Sequence, residues 1–303
     1  MKNKKMKNIK YLLLAFVIVS CANDKTPKLK IDFDCSGFQK SNENLNINIL
    51  LDLSDRINPN TNPNQAMDYF KRDIGYITSI SKNFQCHIAN KKSRNIDDNI
   101  KIFFEPESNI PELNTISSAL NLKFNKDNST TTKINRVDDI YEKNINEIYT
   151  IASQQKKYDG SNIWGFFKNK VNDYIKNDHK NILIILTDGY LYDKSNKGLK
   201  SSNKYANFTS NTIKSFGLNN SNWKSIFIKN EIGILPANTN LKNLEVMVIG
   251  LNPSKTNQNP YELEVLQLLW ENWFKDMEVT KYAIKTADLP SNLDETIKNF
   301  ISN

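Results

Sequence analysis

The strongest constraint on the fold is the stretch 45–56, LNINILLDLSDR, in which an apolar segment ends abruptly in polar and charged residues. Leucine and isoleucine alternate with asparagine at its start, and Leu50 and Leu51 then break the alternation. This pattern predicts a strand whose later half is buried on both faces, as in a parallel sheet. Ligands of open α/β sheets bind outside the carboxyl ends of the strands, so the polar residues that follow mark a candidate site.

Two side chains just after this strand indicate a candidate metal site. Asp52 and Ser54 are two residues apart, so in extended backbone they lie on the same side of the chain. A carboxylate and a hydroxyl at one point suit a hard divalent cation. Asp55 points to the opposite side, and we expect it to cap the following turn or to pair with Arg56.

A second apolar run, NILIILTDG at 181–189, ends in another acid, Asp188. Gly189 follows it and allows the backbone to turn sharply. Two parallel strands that each present an acid at the same end form a candidate constellation. The turn at 159–162 lies between them in sequence and can bring a further hydroxyl, Ser161, to the same edge.

The remaining periodicities predict a doubly wound α/β fold, Rossmann-like, with a mostly parallel sheet and helices on both faces. Residues 107–133 read as a short helix and a loop at the edge of the sheet. The predicted helices are 65–83, 134–155, 163–175, 260–275 and 292–301, and the further strands are 100–104, 244–251 and 279–284.

A long insertion, at about 190–242, follows the Asp188 strand. It is rich in aromatic residues among many asparagines, serines and lysines. A segment of this length is usually functional or disordered. Two interpretations have equal weight: the insertion forms a cap or wall over the candidate site, or it packs its aromatic residues against the flank of the domain and binds nothing.

The polar residues at the two strand ends resemble the metal-ion-dependent adhesion site (MIDAS) of the von Willebrand factor A (vWA) family. That motif reads Asp-x-Ser-x-Ser after the first strand, with a later threonine and an Asp in a Thr-Asp-Gly turn. The resemblance covers roughly 44–303. Asp52 and Ser54 match the first two positions, Ser161 stands where the family usually has threonine, and Asp188 matches the later acid. The resemblance implies a doubly wound sheet and a Mg²⁺ or Mn²⁺ ion held by these four residues.

Arg56 departs from the family motif, because it stands where the third residue, a serine, normally touches the metal. A guanidinium is always charged and offers no lone pair to a cation. Two arrangements are open. In one, Arg56 points outward to solvent, to Asp55 or to an acidic ligand. In the other, it points inward and replaces the cation electrostatically. We favour the outward arrangement.

The first 20 residues have the pattern of an export signal. Five lysines precede an apolar core that is too short to span a bilayer, and Ser20 precedes Cys21. The ending resembles a bacterial lipobox, in which the cysteine becomes the lipidated N-terminus. We therefore expect a signal peptide at 1–20, a tether at 21–43 and one domain at 44–303, anchored to a membrane of the cell envelope and facing the periplasm or the exterior.

Without the signal, the basic character of the chain almost disappears. The whole chain has a net charge of +8, from 41 basic and 33 acidic residues. The five lysines of residues 1–20 account for most of that excess, which leaves 36 basic against 33 acidic residues, or about +3. Nucleic-acid binding needs a local basic patch, and no nucleic-acid motif accompanies the two dense lysine runs. We therefore expect no nucleic-acid partner.

Two cysteines remain after Cys21, namely Cys35 and Cys86. Outside the cytoplasm an even pair is a candidate disulfide. Cys35 precedes the first core strand, and we place Cys86 just after the helix that follows it. A bridge would fasten the tether to the edge of the domain. The alternative is two separately buried thiols.

Three functions remain open, and a protein-binding module comes first. In that function, the metal or Arg56 engages an acidic group of a partner protein. The second is a structural or assembly subunit whose site has lost its metal. The third and weakest is a metal-dependent hydrolase built on Asp52, Asp55 and Asp188. We expect no enzyme, because His87 and His179 read as surface residues rather than as catalysts.

Overall fold

The structure is a computed structural model that describes Phe33, Cys35 and residues 41–155, 160–253 and 259–303. The predicted signal peptide, Cys21 and most of the predicted tether lie outside the described residues. The helices and strands of this part of the chain are, in order, β1 (Asn44–Leu51), α1 (Tyr69–Ala89), β2 (Asp97–Phe103), α2 (Pro111–Ala119), β3 (Leu122–Asn125), α3 (Thr131–Ile134), α4 (Val137–Ser153), α5 (Ile163–Asn169), β4 (His179–Leu186), β5 (Lys200–Ser201), β6 (Lys204–Tyr205), α6 (Ser210–Ser215), α7 (Trp223–Lys229), β7 (Gly233–Ile234), β8 (Leu244–Leu251), α8 (Glu262–Asp276), β9 (Lys281–Thr286) and α9 (Pro290–Ser302).

Six strands form the central sheet, in the order β3-β2-β1-β4-β8-β9. Five of them are parallel, and β3 pairs antiparallel with β2 at one edge. The two central strands, β1 and β4, are paired from Asn44 and His179 to Leu51 and Leu186. Their carboxyl ends therefore meet at the same edge of the sheet. This architecture confirms the predicted α/β fold with a mostly parallel sheet.

Each face of the sheet carries its own hydrophobic core. On one face, Ile47 and Ile49 of β1 pack in a cluster with α1, α4 and α9. On the other face, Leu50 belongs to a cluster that includes α5, α8 and the insertion. Both faces are covered, which explains the nearly continuous apolar runs of β1 and β4.

Asn46 and Asn48 of β1 are buried, although their alternation with apolar residues suggested one polar face. Asn46 is 2% and Asn48 1% exposed. The Asn46 amide nitrogen donates to Asn181 Oδ1 at 2.6 Å and to the Tyr174 carbonyl at 2.7 Å. These hydrogen bonds satisfy polar groups that would otherwise be costly to bury.

The insertion between β4 and β8 has secondary structure of its own and shares the second core with the rest of the domain. It contains α6, α7 and a three-stranded sheet in the order β5-β6-β7. Its large aromatic residues Phe208, Trp223 and Phe227 are buried in the second core. The insertion is thus ordered by packing against the flank of the domain, as one of the two interpretations expected.

Several predicted element boundaries were wrong. Helix α1 runs from Tyr69 to Ala89 rather than over 65–83, because Phe84 and Ile88 continue its buried face. Cys86 consequently lies inside this helix and not after it. Strand β3 was missed within the region assigned to a helix and a loop.

Cys35 and Cys86 are joined by a disulfide, with their Cα atoms 5.4 Å apart. The bridge links the segment before β1 to the last turns of α1. Among the described residues, no helix is both long enough and apolar enough to cross a membrane.

Candidate functional site

A cavity of about 810 Å³ opens at the carboxyl ends of β1 and β4. The loop after β1 contributes Asp52, Ser54 and Asp55, and the loop after β4 contributes Asp188. Ser161 lines the same cavity. The structure therefore brings together all four residues that the sequence pointed to as metal ligands.

The insertion forms one wall of this cavity, as the first interpretation expected, while its aromatic residues pack against the flank of the domain. Residues shortly after Asp188 and residues at the start of α6 face the site. The insertion residues that line it are Tyr190, Tyr192, Asp193, Lys194, Thr209, Ser210 and Asn211.

Asp52 is fixed by backbone pairing and by a neighbouring hydroxyl. Its N–H donates to the Leu186 carbonyl at 3.0 Å, and its Oδ2 accepts a hydrogen bond from Thr187 Oγ1 at 2.9 Å. Its other oxygen, Oδ1, is buried with no hydrogen-bond partner in the described part of the chain, and the same is true of Ser54 Oγ. The loop thus presents two buried oxygen atoms without a well-formed hydrogen bond, although Ser54 lies close enough to Asp52 to lower its pKa.

The turn that carries Ser161 lies close against Asp52. Gly160 has a φ of +68°, and a Cβ at this position would lie 3.9 Å from Asp52 Oδ1. Ser161 is buried, and its hydroxyl donates to the Glu105 carbonyl at 3.1 Å. This hydrogen bond leaves the oxygen lone pairs of Ser161 available to a ligand in the cavity.

Asp188 lies in a sharp turn after β4. Gly189 has a φ of +101°, as the turn requires, and the Tyr190 N–H donates to Asp188 Oδ1 at 3.1 Å. Burial and the nearby charge of Asp52 raise the pKa of Asp188 to about 7. Burial also raises the pKa of Asp52 to about 6, against the opposing effects of Arg56, Thr187 and Ser54. Burial is the largest cause of both shifts, and for Asp188 the charge of Asp52 adds to it.

Arg56 does not take the outward arrangement that we favoured. Its side chain is 4% exposed and forms an ion pair with Asp73 of α1, with 2.6 Å between Nη2 and Oδ2. The charge of Arg56 acts on Asp52 by lowering its pKa. Arg56 therefore points inward, but towards a carboxylate on a helix rather than into the cavity. Asp55, which we expected to cap the turn or to pair with Arg56, is exposed and accepts through its carbonyl from Asn58 N–H at 3.0 Å.

The donor set fits a hard divalent cation. Carboxylate and hydroxyl oxygens are the ligands that Mg²⁺ and Mn²⁺ prefer. Asp52 Oδ1 and Ser54 Oγ are unpartnered and buried, and the two acids repel each other until a positive charge lies between them. Within the described residues, no group of three or more His, Cys, Asp or Glu side chains is placed to hold a metal.

Sequence reasoning missed two residues that shape the site. Thr187 is fully buried and donates a hydrogen bond to Asp52. Its position beside Asp188 in a Thr-Asp-Gly turn was the sequence feature that could have indicated this role. Asp73 is the partner of Arg56, and nothing in the local sequence of α1 indicated it.

Both histidines lie at the other end of the sheet. His179 begins β4, at the end opposite Asp188. His87 was expected at the surface, but it is 6% exposed, with its Nε2 3.2 Å from Asp98 Oδ1. It is buried because α1 extends further than predicted and packs its last turns against the start of β1.

Comparison with known proteins gives only distant similarities, and these are to solved structures. No family model matches the chain, and no curated protein matches it. Among solved structures, proximal thread matrix protein 1 from the mussel byssus, in a form with a zinc-occupied MIDAS motif, has 13% identity and a TM-score of 0.34. That similarity covers 86% of this chain and 46% of the mussel protein, so this chain spans about half of its length.

Two bacterial structures show similarity of the same order. An aerotolerance-related membrane protein from Bacteroides fragilis has 11% identity and a TM-score of 0.36, covering 85% of this chain and 98% of that one. The pilus adhesin SpaC from Lactobacillus rhamnosus GG has 10% identity and a TM-score of 0.40, covering 87% of this chain and 31% of the adhesin. Identities and TM-scores this low assign neither a ligand nor a function to the chain.

Proposed function

We propose that the chain is a vWA-type binding domain that holds Mg²⁺ or Mn²⁺ between β1 and β4 and engages a protein partner there. One observation carries the proposal. Asp52, Ser54, Ser161 and Asp188 line one cavity, and Asp52 Oδ1 and Ser54 Oγ are buried without partners. Unpartnered buried oxygens beside two like charges are stabilised by a cation.

The chain's own residues prepare the site for a ligand. Thr187 holds Oδ2 of Asp52, so Oδ1 remains directed away from that hydrogen bond. The Tyr190 N–H holds Oδ1 of Asp188 in the same way. When bound, a divalent cation supplies a positive centre that can accept an acidic oxygen of a partner. The cavity wall formed by the insertion offers Tyr192, which is 59% exposed, as a further contact.

The metal is tested by titrating Mg²⁺ and Mn²⁺ into the purified, metal-stripped protein by calorimetry. We expect saturable binding of one ion, and loss of that binding in Asp52→Ala. Asp294→Asn, which removes an exposed carboxylate of α9, should bind as the wild type does. Absence of binding in the wild type would instead favour a structural subunit with a metal-free site.

The partner is tested by comparing proteins retained from the cell envelope by wild-type protein in Mg²⁺ and in EDTA. A partner that engages the cation is retained only in Mg²⁺ and is lost with Asp52→Ala. Retention that is equal under all three conditions contradicts a metal-dependent contact.

We also propose that Cys21 anchors the mature chain to an envelope membrane. The proposal is supported by the lysine-rich start, the short apolar core and the Ser20-Cys21 pair. Cys21→Ala should move the protein from the membrane fraction to the soluble fraction, whereas Lys25→Ala should not. Full retention of Cys21→Ala in membranes would indicate another anchor.

A further inference from the structure

A buried ion pair lies directly behind the metal-binding loop. Arg56 Nη2 donates to Asp73 Oδ2 at 2.6 Å, and Nη1 donates to Oδ1 at 3.4 Å. The Tyr149 hydroxyl of α4 donates to the same Oδ2 at 2.8 Å. The side chains of Arg56 and Asp73 are 4% and 1% exposed. Burial raises the pKa of Asp73, although the three donors on its carboxylate oppose that effect and favour the ionised form.

The pair is close enough to influence the site. Arg56 lies in the 3-10 turn Asp55–Ile57, two residues after Ser54. Ser54 and Asp55, the two residues immediately before it, both line the cavity. A guanidinium beside a cation site opposes cation binding unless a carboxylate balances it.

We propose that Asp73 is the counter-charge that allows a cation site to coexist with Arg56. This inference rests on the proposed metal-binding function. With Asp73 ionised, the four groups Asp52, Asp188, Arg56 and Asp73 carry two net negative charges, which match a divalent cation. Without it, Arg56 loses its partner and its charge is available to the two acids of the site. Asp73 does not touch the ligand and acts as a positioning residue, through Arg56.

The arrangement also explains how the motif tolerates an arginine in its third position. The side chain that replaces the usual serine is withdrawn into the space between α1 and α4, where Asp73 and Tyr149 receive it. Asp55, its neighbour in sequence, lines the cavity instead. The loop therefore keeps Asp52 and Ser54 at the cavity while Arg56 is held behind it.

Four proteins test the proposal by Mg²⁺ calorimetry at pH 7.5: wild type, Asp73→Asn, Arg56→Ser and the double variant. We expect Asp73→Asn to bind Mg²⁺ at least tenfold more weakly than the wild type. The double variant should return to within threefold of the wild type, because both charges are gone. Arg56→Ser alone should bind as tightly as the double variant, because burial favours the protonated form of Asp73 once Arg56 is absent.

The control is Asp68→Asn, which removes a carboxylate just before the same helix, where it pairs with Lys71 at 2.8 Å near the surface. It should leave Mg²⁺ affinity unchanged. Thermal unfolding in EDTA, measured for each variant, separates loss of affinity from loss of structure. A merely structural role for Asp73 predicts that the double variant stays as weak as Asp73→Asn, and that result would overturn the proposal.

Each further outcome is informative. If the wild type binds no Mg²⁺, the proposed function fails first, and the failure is visible without any variant. If the wild type binds and Asp73→Asn binds equally well, the counter-charge proposal is wrong while the metal site stands. If Asp73→Asn does not fold, the double variant decides the question, and Mg²⁺ binding more than threefold weaker than that of the wild type would contradict the proposal.

Discussion

The two ends of the central sheet both bury acidic side chains, but they treat them in opposite ways. At the amino end, Asp98 accepts from Lys91 Nζ at 2.7 Å and from the Leu45 N–H at 2.6 Å, and His87 Nε2 lies 3.2 Å away. Burial disfavours its ionisation, but these partners outweigh burial and lower the pKa of Asp98. At the carboxyl end, burial raises the pKa values of Asp52 and Asp188.

The two ends differ in which carboxylates their cationic side chains pair with. The amino end supplies Lys91 to one carboxylate, and that lysine side chain is fully buried in the pair. The carboxyl end has Arg56, but its donors are directed to Asp73 and not to the two acids of the cavity. The buried acid at the amino end is paired without a ligand, whereas the acids at the carboxyl end leave a charge imbalance that a cation can relieve. Unfavourable ionisation of this kind often marks a functional site.

The largest effect on stability is expected from breaking the buried ion pair at the amino end of the sheet. Asp98→Asn leaves Lys91 without its buried counter-charge, which typically costs about 3–5 kcal/mol. Chemical denaturation at pH 7.5 measures the loss in the free energy of unfolding. Asp97→Asn, which alters the exposed neighbouring acid, serves as the control and should cost much less. A loss below that of the control would mean that the pair does not stabilise the amino end.

An Asp-to-Asn substitution at the carboxyl end should change the free energy of unfolding in the opposite direction. Asp188→Asn removes a carboxylate whose ionisation is unfavourable in the folded protein, while the amide can still accept the Tyr190 N–H. We expect the metal-free protein to gain stability, on the order of 2 kcal/mol at pH 8, and Mg²⁺ to stabilise it no further. Denaturation with and without Mg²⁺ measures both effects. A destabilised variant would show that Asp188 supports the fold.

The central strands of the sheet were predicted well from the sequence because their signals are local. The apolar runs of β1 and β4 and the 244–251 strand are continuous and bounded by polar residues, and β8 is observed at Leu244–Leu251 as predicted. Strand β3 has only four residues, of which one, Phe124, is fully buried, so it left no readable alternation. Its position is determined by antiparallel pairing with β2, which is a tertiary interaction.

The candidate site was predictable to the extent that it follows from strand ends. Asp52 and Asp188 meet because β1 and β4 are parallel neighbours. The direction of Arg56 was not predictable, because its partner is 17 residues away and lies on a helix. The local sequence offered Asp55 instead. Charges that are balanced across elements are a property of the packed structure and not of a motif.

A smaller effect is expected from pH. The folded pKa values of Asp52 and Asp188, about 6 and about 7, lie above the ordinary value of 3.8, so at mildly acidic pH the folded protein binds more protons than the unfolded chain. Their contribution to stability is therefore present at low pH and is lost as the pH rises through the folded values. The metal-free protein should be more stable at pH 5.5 than at pH 8, by roughly 1–2 kcal/mol.

Mg²⁺ provides the check on this pH dependence. Because the cation requires ionised carboxylates, saturating Mg²⁺ should stabilise the protein at pH 8 and much less at pH 5.5. The pKa of Asp98 is lowered, so its own contribution is lost only at more acidic pH and does not interfere in this window. Stability that rises with pH in the metal-free protein would contradict the assignment of raised pKa values to the site.

The smallest effect is expected from a substitution of Tyr149. This substitution tests the hydrogen bond to Asp73 separately from the charges of Arg56 and Asp73. Tyr149→Phe removes one hydrogen bond to Asp73 but leaves the ion pair with Arg56 intact, so the free energy of unfolding should fall by roughly 1 kcal/mol. Tyr141→Phe is a matched control on the same helix, because that buried hydroxyl donates to a neutral carbonyl, Leu120 O, at 2.7 Å. Both variants should bind Mg²⁺ within twofold of the wild type, since neither changes the charge near Asp52. Tyr149→Phe could instead weaken Mg²⁺ binding as strongly as Asp73→Asn does. The orientation of the Asp73 carboxylate, and not its charge alone, would then distinguish the carboxyl end of the sheet from the amino end.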